Sequence, residues 1–197
     1  RSPMSMSAPA YPIGLDVDPA APQSRLTVFF RYFMLIPHGI IVSALMAVVE
    51  VITFLAWFAI LFTGKYPAGL LKFSMDTFHW SNRYTGYQWL LTGKYPPFAM
   101  GADDSYPIRT TGEGEGTGRN RVTVFFRYPL LIPHLIVLSI LAVAAIVILA
   151  ISWLAALITG SVPAGMHSFM AGFTRWSTRV TAYALLLTDK YPPFSLS

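Results

Sequence analysis

The chain alternates long apolar runs with stretches in which polar and apolar residues mix. The run at 40–62 is 23 residues long and carries one charge, Glu50, whereas the run at 135–158 is 24 residues long and carries none. At 1.5 Å per residue each would form a helix about 35 Å long, enough to cross a hydrocarbon core of about 30 Å. The pattern predicts two transmembrane helices at these positions.

A mixed segment follows each run, at 68–91 and 164–187. In the first of them, charged or polar side chains recur every three or four residues, at Lys72, Asp76, His79 and Arg83. This spacing places them on one face of a helix, beside a stripe of aromatic residues. We expect an amphipathic helix in each segment, which either crosses the membrane with its polar face against protein or lies at the membrane surface.

A shorter mixed segment precedes each run, at 25–36 and 121–132. Each combines two arginines with several aromatic and aliphatic residues and ends at a Pro-His pair. A helix at the level of the lipid headgroups would bury the apolar side chains while the arginines stay hydrated. The pattern therefore predicts a short interfacial helix before each transmembrane helix.

These three elements occur twice because residues 25–98 and 121–194 are copies of one unit. The second copy follows at an offset of 96 residues without a gap, and 38 of 74 aligned positions are identical. Such self-similarity indicates a duplicated structural unit. The sequence predicts an all-α membrane protein made of two tandem repeats, of which the second extends to residue 197.

The segments outside the copies are rich in helix-breaking residues. Residues 1–24 contain five prolines and are expected to be extended, with a candidate strand in the alternating stretch 11–18 and a counterpart at 106–108. Residues 99–120 are polar and contain five glycines, which predicts a flexible aqueous linker.

The relative orientation of the two copies depends on how many helices cross. If only the apolar helices cross, the second copy is inverted; if the amphipathic helices cross as well, both copies have the same orientation. Each copy ends in Thr-x-Lys-Tyr-Pro-Pro-Phe, and its Lys and Tyr suit a membrane–water boundary. These matching ends favour the same orientation and therefore four crossings.

Composition supports a membrane environment. The hydrophobic fraction is 54%, only 12% of residues are charged, and the mean hydropathy is +0.53, whereas soluble domains carry about 25% charge. The formal net charge is +5, but the basic residues flank the apolar runs rather than cluster. This distribution favours lipid headgroups over nucleic acid as the partner. The chain has no cysteine, which excludes disulfides and thiolate metal sites.

Glu50 is the first candidate functional residue, because it lies near the centre of an apolar run. A carboxylate at this depth is costly, which favours a proton site, an ion ligand or a pair with a basic residue of a partner. The alternative is a protonated carboxyl group that is hydrogen-bonded to Thr53 or to the Met46 carbonyl. The equivalent residue in the second copy is Ile146.

His38 and His134 precede the two apolar runs at equivalent positions. Symmetric histidines suggest a metal or a haem, but no further histidine or carboxylate lies at ligand spacing beside either one. We interpret them as polar caps at interfacial helix starts and Trp80 and Trp176 as interfacial aromatic residues, and we predict no metal and no other cofactor. The absence of nucleophile–base motifs and phosphate loops likewise predicts no catalytic residue.

The repeated arginines are the third group of candidates, at Arg31, Arg83, Arg127 and Arg179. Guanidinium groups near the membrane surface could hold a lipid phosphate. The alternative is structural, with each arginine hydrogen-bonded inside its own unit.

Five repeated motifs carry a family resemblance: Arg-x-Thr-Val-Phe-Phe-Arg, Ile-Pro-His, Trp-x-x-x-Leu-x-Thr-Gly, Trp-Ser-x-Arg and Thr-x-Lys-Tyr-Pro-Pro-Phe. In this combination the chain resembles a bacterial family of small integral membrane proteins classed as a domain of unknown function. The resemblance covers 11–194 as two tandem copies, although Arg109 and the residues after it depart from the opening segment of the first copy. It implies a location in the bacterial cytoplasmic membrane and brings no assigned activity.

From these observations we expect a non-catalytic accessory or structural subunit that packs against and stabilises a larger bacterial membrane complex. Two alternatives stay open, namely an oligomeric transporter or channel that uses Glu50 and a lipid-headgroup-binding protein that uses the repeated arginines. The expected partners are the lipid bilayer and other membrane subunits, with a homo-oligomer left open. The expected location is the bacterial cytoplasmic (inner) membrane, as a multi-pass protein.

Overall fold

The computed structural model describes residues 11–197 and contains five helices and a two-stranded ribbon. The elements are β1 (Gly14–Val17), α1 (Arg25–Thr63), α2 (Ala68–Gln88), β2 (Ile108–Thr111), α3 (Arg121–Phe125), α4 (Arg127–Thr159) and α5 (Ala164–Ala184). The predicted extended segment at 1–24 lies outside the described residues up to residue 10, and the candidate strand at 11–18 is observed as β1. The fold is therefore mostly helical, and the ribbon corrects the all-α prediction.

The first copy forms one long helix where two were predicted. Helix α1 has 39 residues and contains Pro37, so the separate interfacial helix at 25–36 is wrong for this copy. Proline removes one backbone hydrogen bond. Buried residues recur along one face of α1 from Val28 to Ile60, and this continuous packing holds the helix through the proline.

The second copy breaks the same helix near its start. Helix α3 ends at Phe125 and α4 begins at Arg127, so that Pro129 falls in the first turn of α4. A proline is tolerated there because its missing N–H would have had no partner within the helix. The equivalent residue in the first copy is Phe33, which explains why only the second copy is interrupted.

Helices α2 and α5 end three residues before the predicted limits at 91 and 187. The chain leaves each helix through a leucine in the left-handed region, and Leu90 and Leu186 both have a φ of 61°. This conformation costs a non-glycine residue about 1 kcal/mol or more. Both leucine side chains are fully buried, and their packing supplies the compensation.

The two long helices run antiparallel and pack reciprocally. The indole N–H of Trp57 donates to the Val124 carbonyl at 2.9 Å, and that of Trp153 donates to the Val28 carbonyl at 3.0 Å. The late part of each helix therefore lies beside the beginning of the other copy. Two copies in the same orientation would require α1 and α4 to be parallel, so that prediction is wrong.

The segment 99–120 has defined structure, which corrects its prediction as a flexible linker. It contains β2, which pairs antiparallel with β1 in a register that places Leu15 opposite Thr110. Tyr106 is fully buried and donates its hydroxyl to the Lys94 carbonyl at 2.7 Å. Buried anchors of this kind outweigh the flexibility of the glycines.

Each strand precedes one copy in the sequence and packs on the other copy. Strand β1 contacts α5, whereas β2 contacts α2. The hydroxyl of Tyr11 donates to the Lys190 carbonyl at 2.7 Å and so repeats the contact of Tyr106 on the other copy. The chain therefore crosses between the copies before each long helix.

The hydrophobic core is shared between the copies. One cluster joins Ile52 and Ile60 of α1 to Val124 and Leu186, and another joins Val28 to Ala156. The helices form two layers, because α1 packs on α2, α4 packs on α5, and α2 and α5 contact each other. The two copies thus form one folded body with α1 and α4 on one side and the ribbon on the other.

Candidate functional site

Arg31 is buried at the end of α2. Its guanidinium donates to the carbonyls of Tyr87 at 2.5 Å and Thr92 at 2.9 Å and to the amide oxygen of Gln23 at 2.5 Å, and it lies 4.0 Å above the Tyr87 ring. The last carbonyls of a helix lack partners and carry partial negative charge. These carbonyls and the tyrosine ring compensate the buried cation without a carboxylate among the side chains that it contacts.

Arg127 repeats this arrangement in the second copy and adds a charge pair. It donates to the carbonyls of Tyr183 at 3.2 Å and Thr188 at 2.7 Å, and also to the carboxylate of Asp189 at 2.6 Å. Arg119 forms a two-point contact with the same carboxylate, at 3.0 and 2.7 Å. Two arginines therefore share one acid.

Asp189 is held in its ionised form by these neighbours. Burial acts to raise its pKa, but hydrogen bonds from Arg119 and the Asn120 amide, together with the charges of Arg119 and Arg127, hold the pKa below its usual value. The positions equivalent to Arg119 and Asp189 are Gln23 and Gly93. The first copy lacks both charges of this pair.

Arg83 and Arg179 fasten the segments that follow each Tyr-Pro-Pro-Phe motif. Arg83 donates to the carbonyls of Gly101 at 2.7 Å and Ala99 at 2.5 Å, while Arg179 donates to those of Ser197 at 2.6 Å and Ser195. Burial lowers the pKa of both guanidinium groups.

The four repeated arginines are thus all buried and donate to groups within the chain. Contact with a lipid phosphate requires an exposed guanidinium group. These contacts therefore support a structural role for the arginines rather than the binding of a lipid phosphate. They fix the ends of α2 and α5 and the segments that follow them.

Each histidine at a repeat position accepts a hydrogen bond from a tryptophan. The indole N–H of Trp80 donates to His38 Nδ1 at 3.1 Å, and that of Trp176 donates to His134 Nδ1 at 3.0 Å. A phenylalanine stacks on each imidazole, with ring centroids 3.8 Å apart for Phe98 and His38. An accepting Nδ1 carries no proton, so each ring is the tautomer with its proton on Nε2.

The positions of these residues correct the interpretation of the histidines as polar caps at interfacial helix starts and of the two tryptophans as interfacial residues. His38 and His134 lie inside α1 and α4 and are fully buried, and the two tryptophans are nearly so. In the described part of the chain, no three histidine or acidic side chains lie together as metal ligands would. The histidine–tryptophan pairs join neighbouring helices, while the absence of a metal or cofactor stays a prediction.

Glu50 lies on the exposed side of α1. It lines a cleft of about 350 Å³ with Thr53, Tyr128, Ala184 and Leu185, at the seam between the copies. Glu50 forms no hydrogen bond with Thr53 in the described part of the chain, where the Thr53 hydroxyl donates to the Val49 carbonyl at 2.8 Å. The carboxylate is therefore a surface group on an otherwise apolar face.

That apolar face covers the outer side of α1, α3 and α4. It holds most of the large hydrophobic side chains that are exposed, from Leu26 to Phe62 on α1 and from Val122 to Ile158 on α3 and α4. By length and composition, α1 and α4 are two candidate membrane spans. Within the most apolar window of each helix only 28% and 11% of residues are buried, so most of each window is exposed rather than packed inside the protein.

A cleft of about 600 Å³ opens on the other side of the molecule, between α2 and residues 112–117. Lys72 and Asp76 form an ion pair at its edge, with 2.5 Å between Nζ and Oδ2. Burial and the charge of Arg83 lower the pKa of His79, which also lines the cleft. The lining contains no serine or cysteine.

The residues that sequence reasoning missed are Arg119, Asp189 and the stacking phenylalanines. One signal was available, because the first copy has neutral residues at both positions where the second has an arginine and an aspartate. Paired changes of opposite charge indicate contact. Phe98 and Phe194 gave no such signal, because their partners lie 60 residues earlier in the sequence.

These features define a mostly helical protein built from two copies of one unit, with two helices that have the length and composition of membrane spans. The chain matches the family described as Domain of unknown function (DUF4389) twice, at residues 25–100 and 121–195. It therefore belongs to this family, and the resemblance in sequence is confirmed. No curated protein and no solved structure matches it.

Proposed function

We propose that the protein is a non-catalytic accessory subunit that packs against and stabilises a larger complex of the bacterial cytoplasmic membrane. The observation that carries this proposal is the apolar face of α1 and α4, which is uncovered along its whole length and interrupted by Glu50. The repeated arginines and histidines do not compete for this role, because their contacts lie within the chain.

Glu50 is the group that we assign to the partner. A carboxylate on an apolar face costs free energy when that face is covered by lipid or protein, and a basic side chain from a partner would offset part of this cost. Ile146 occupies the equivalent position, so this contact would belong to the first copy alone.

The test is purification of the full chain from its native membranes in a mild detergent. We expect other membrane subunits to co-purify in a fixed ratio and their recovery to fall at least tenfold with Glu50→Ile. The matched control is Ile146→Leu, which alters the equivalent position and should retain the partners. A wild-type chain that migrates alone under these conditions would refute the proposal.

A second candidate function is an oligomeric transporter or channel. The cleft of about 350 Å³ at Glu50 favours it, because ion pathways in membrane proteins contain such carboxylates. In reconstituted vesicles, this function predicts a proton or cation flux that Glu50→Gln abolishes. A flux that is absent, or that the substitution leaves unchanged, counts against it.

A further inference from the structure

We propose that α1 and α4 lie in the plane of the membrane, within one leaflet, and that the protein is monotopic. The ribbon and the segments that lead into it would then face water, on the same side for both copies. This inference rests on the membrane association of the proposed function and not on the accessory role. It replaces the multi-pass placement that the apolar runs predicted.

The apolar face is too long for a helix that crosses a bilayer. Helix α1 has 39 residues and would span about 58 Å, nearly twice the hydrocarbon core of about 30 Å. If residues 40–62 crossed the membrane, Phe29, Phe30 and Phe33 would lie beyond the hydrocarbon core. The folded chain leaves them 54%, 44% and 70% exposed, so these aromatic side chains would then face water. A helix in the membrane plane buries the whole face at once.

The antiparallel packing also places the two apolar runs at opposite ends of their layer. Trp153 lies beside Val28, and Trp57 lies beside Val124. The run at 135–158 therefore runs alongside the first half of α1 rather than alongside 40–62. A slab about 30 Å thick and perpendicular to the helices cannot hold both runs.

A polar segment without helical structure runs along the full length of α2. Ile108 packs on Gly86, Gly114 packs against Leu71, and the Tyr66 amide donates to the Gly116 carbonyl at 2.8 Å. The distance along α2 from Ala68 to Gly86 is about 27 Å, which is close to the thickness of the hydrocarbon core of about 30 Å. If α2 crossed the bilayer, Glu113 and its irregular backbone would lie at membrane depth, where lipid cannot satisfy their polar groups.

The second copy shows the same arrangement along α5. The backbone N–H of Gln23 donates to the Gly160 carbonyl at 2.7 Å, and the Arg175 side chain donates to the Leu15 carbonyl at 3.3 Å. The proline-containing stretch between residues 15 and 23 therefore follows α5 from its beginning to Arg175, and Ile13 lies in a cluster with Ala182 near the end of the helix. Both segments lie opposite the apolar face, on the side that a monotopic placement leaves in water.

The rim of the apolar face has the chemistry of a membrane interface. Arg25, Lys65 and Arg121 are exposed at the ends of the long helices. Phe98 and Phe194 are each 52% exposed at the sides, next to Lys-Tyr-Pro-Pro sequences. Basic and aromatic side chains at this level suit an anionic leaflet, and the Glu50 cleft, which α5 helps to line, stays close to headgroup depth.

The test is depth measurement by spin labels, which is direct because the chain has no cysteine. Phe29→Cys, Val51→Cys and Phe62→Cys would each carry one nitroxide in full-length protein in phosphatidylcholine–phosphatidylglycerol vesicles. We expect the same depth at all three sites, about 5–10 Å below the phosphates. A label at Val51 that is near the bilayer centre while the Phe29 label is in water would overturn the proposal, as would labels in water at all three sites.

Equivalent positions on the second copy supply the matched set, namely Phe125→Cys, Val147→Cys and Ile158→Cys. These should report the same depth as their counterparts. Sidedness gives a further test, because Ala20 and Thr117 are exposed at opposite ends of the long helices. An impermeant maleimide should label Ala20→Cys and Thr117→Cys from the same side of sealed native vesicles. Labelling from opposite sides would establish crossing helices.

Discussion

Arg31 and Arg127 occupy equivalent positions, and each lies over a tyrosine ring at the end of a helix. Their surroundings differ in charge. Arg31 contacts carbonyls and the amide of Gln23, whereas Arg127 shares the carboxylate of Asp189 with a second buried arginine, Arg119. A helix end, an aromatic ring and a neutral amide are thus sufficient to bury one guanidinium group, and the second copy, which has a second arginine, also has an acid.

The copies also differ in how closely the crossing segments approach. A Cβ on Gly86 would lie 1.9 Å from Ile108 Cδ1, so the first copy needs glycine there. The second copy has Ala182 at the equivalent position, in the cluster that contains Ile13. The same contact is therefore tighter on α2 than on α5.

The largest expected effect concerns the charged pair. Asp189→Ala leaves Arg119 and Arg127 buried without their acid, and removal of one member of a buried ion pair costs about 3–5 kcal/mol. We expect a loss of this size in the free energy of unfolding, measured by denaturant titration in detergent. Gly93→Ala is the matched control, and it should change this energy by less than about 1 kcal/mol.

The effect of Asp189→Ala should depend on pH in a defined direction. The pKa of Asp189 is below its usual value in the folded protein, so its contribution is present above the unfolded pKa of about 3.9 and is lost as the pH falls through the folded pKa. The difference between wild type and variant should therefore be largest above about pH 5 and shrink in acid. A difference that grows on acidification would contradict this assignment.

An intermediate effect is expected from Gly86→Ala. The added methyl group collides with Ile108, and overpacking of a buried site costs about 1–3 kcal/mol. The measurement is again the free energy of unfolding in detergent. Combination with Ile108→Val should recover part of the loss, because the smaller side chain leaves room for the methyl group.

The matched change in the second copy is Ala182→Gly. It opens space rather than filling it, and glycine within a helix costs about 0.5–1 kcal/mol relative to alanine. If Gly86→Ala were as stable as the wild type, the close approach of β2 to α2 would be wrong.

The smallest effect should come from Lys72→Ala. The Lys72 side chain is 76% exposed, and its pair with Asp76 joins residues four apart on α2. Exposed pairs of this type contribute about 0.3–0.5 kcal/mol. We expect no more than this loss, and it should vanish at high salt. The second copy has Ser168 and Gly172 at these positions and does without the pair.

Much of the helical structure follows from local pattern. The duplication, the existence of two long apolar helices and the helices that begin after Pro67 and Pro163 were all predictable from residue spacing and proline position. The last turns were not, because Leu90 and Leu186 adopt a conformation that leucine disfavours on its own. Only burial of their side chains makes it stable.

The candidate site was less predictable than the helices. The repeat positions identified the arginines and histidines but not their partners. For Arg31, Arg127 and the two histidines, partners lie 42 to 62 residues away in sequence, and for Arg83 and Arg179 they lie 16 to 18 residues away. Spacing along the chain carries no information about such contacts. It therefore left both the lipid-binding and the structural role of the arginines open.

The sequence by itself determined that two copies of one unit each contribute a long apolar helix and a shorter mixed helix, because periodicity and duplication are local properties. The tertiary structure alone decided that α1 and α4 are antiparallel, that each strand packs on the other copy, and that one side of the molecule is apolar along its whole length. Each apolar run is long enough for a transmembrane helix, whether it crosses the membrane or lies in its plane. Whether they cross the membrane depends on what lies beside them, and here a polar segment accompanies α2 from end to end.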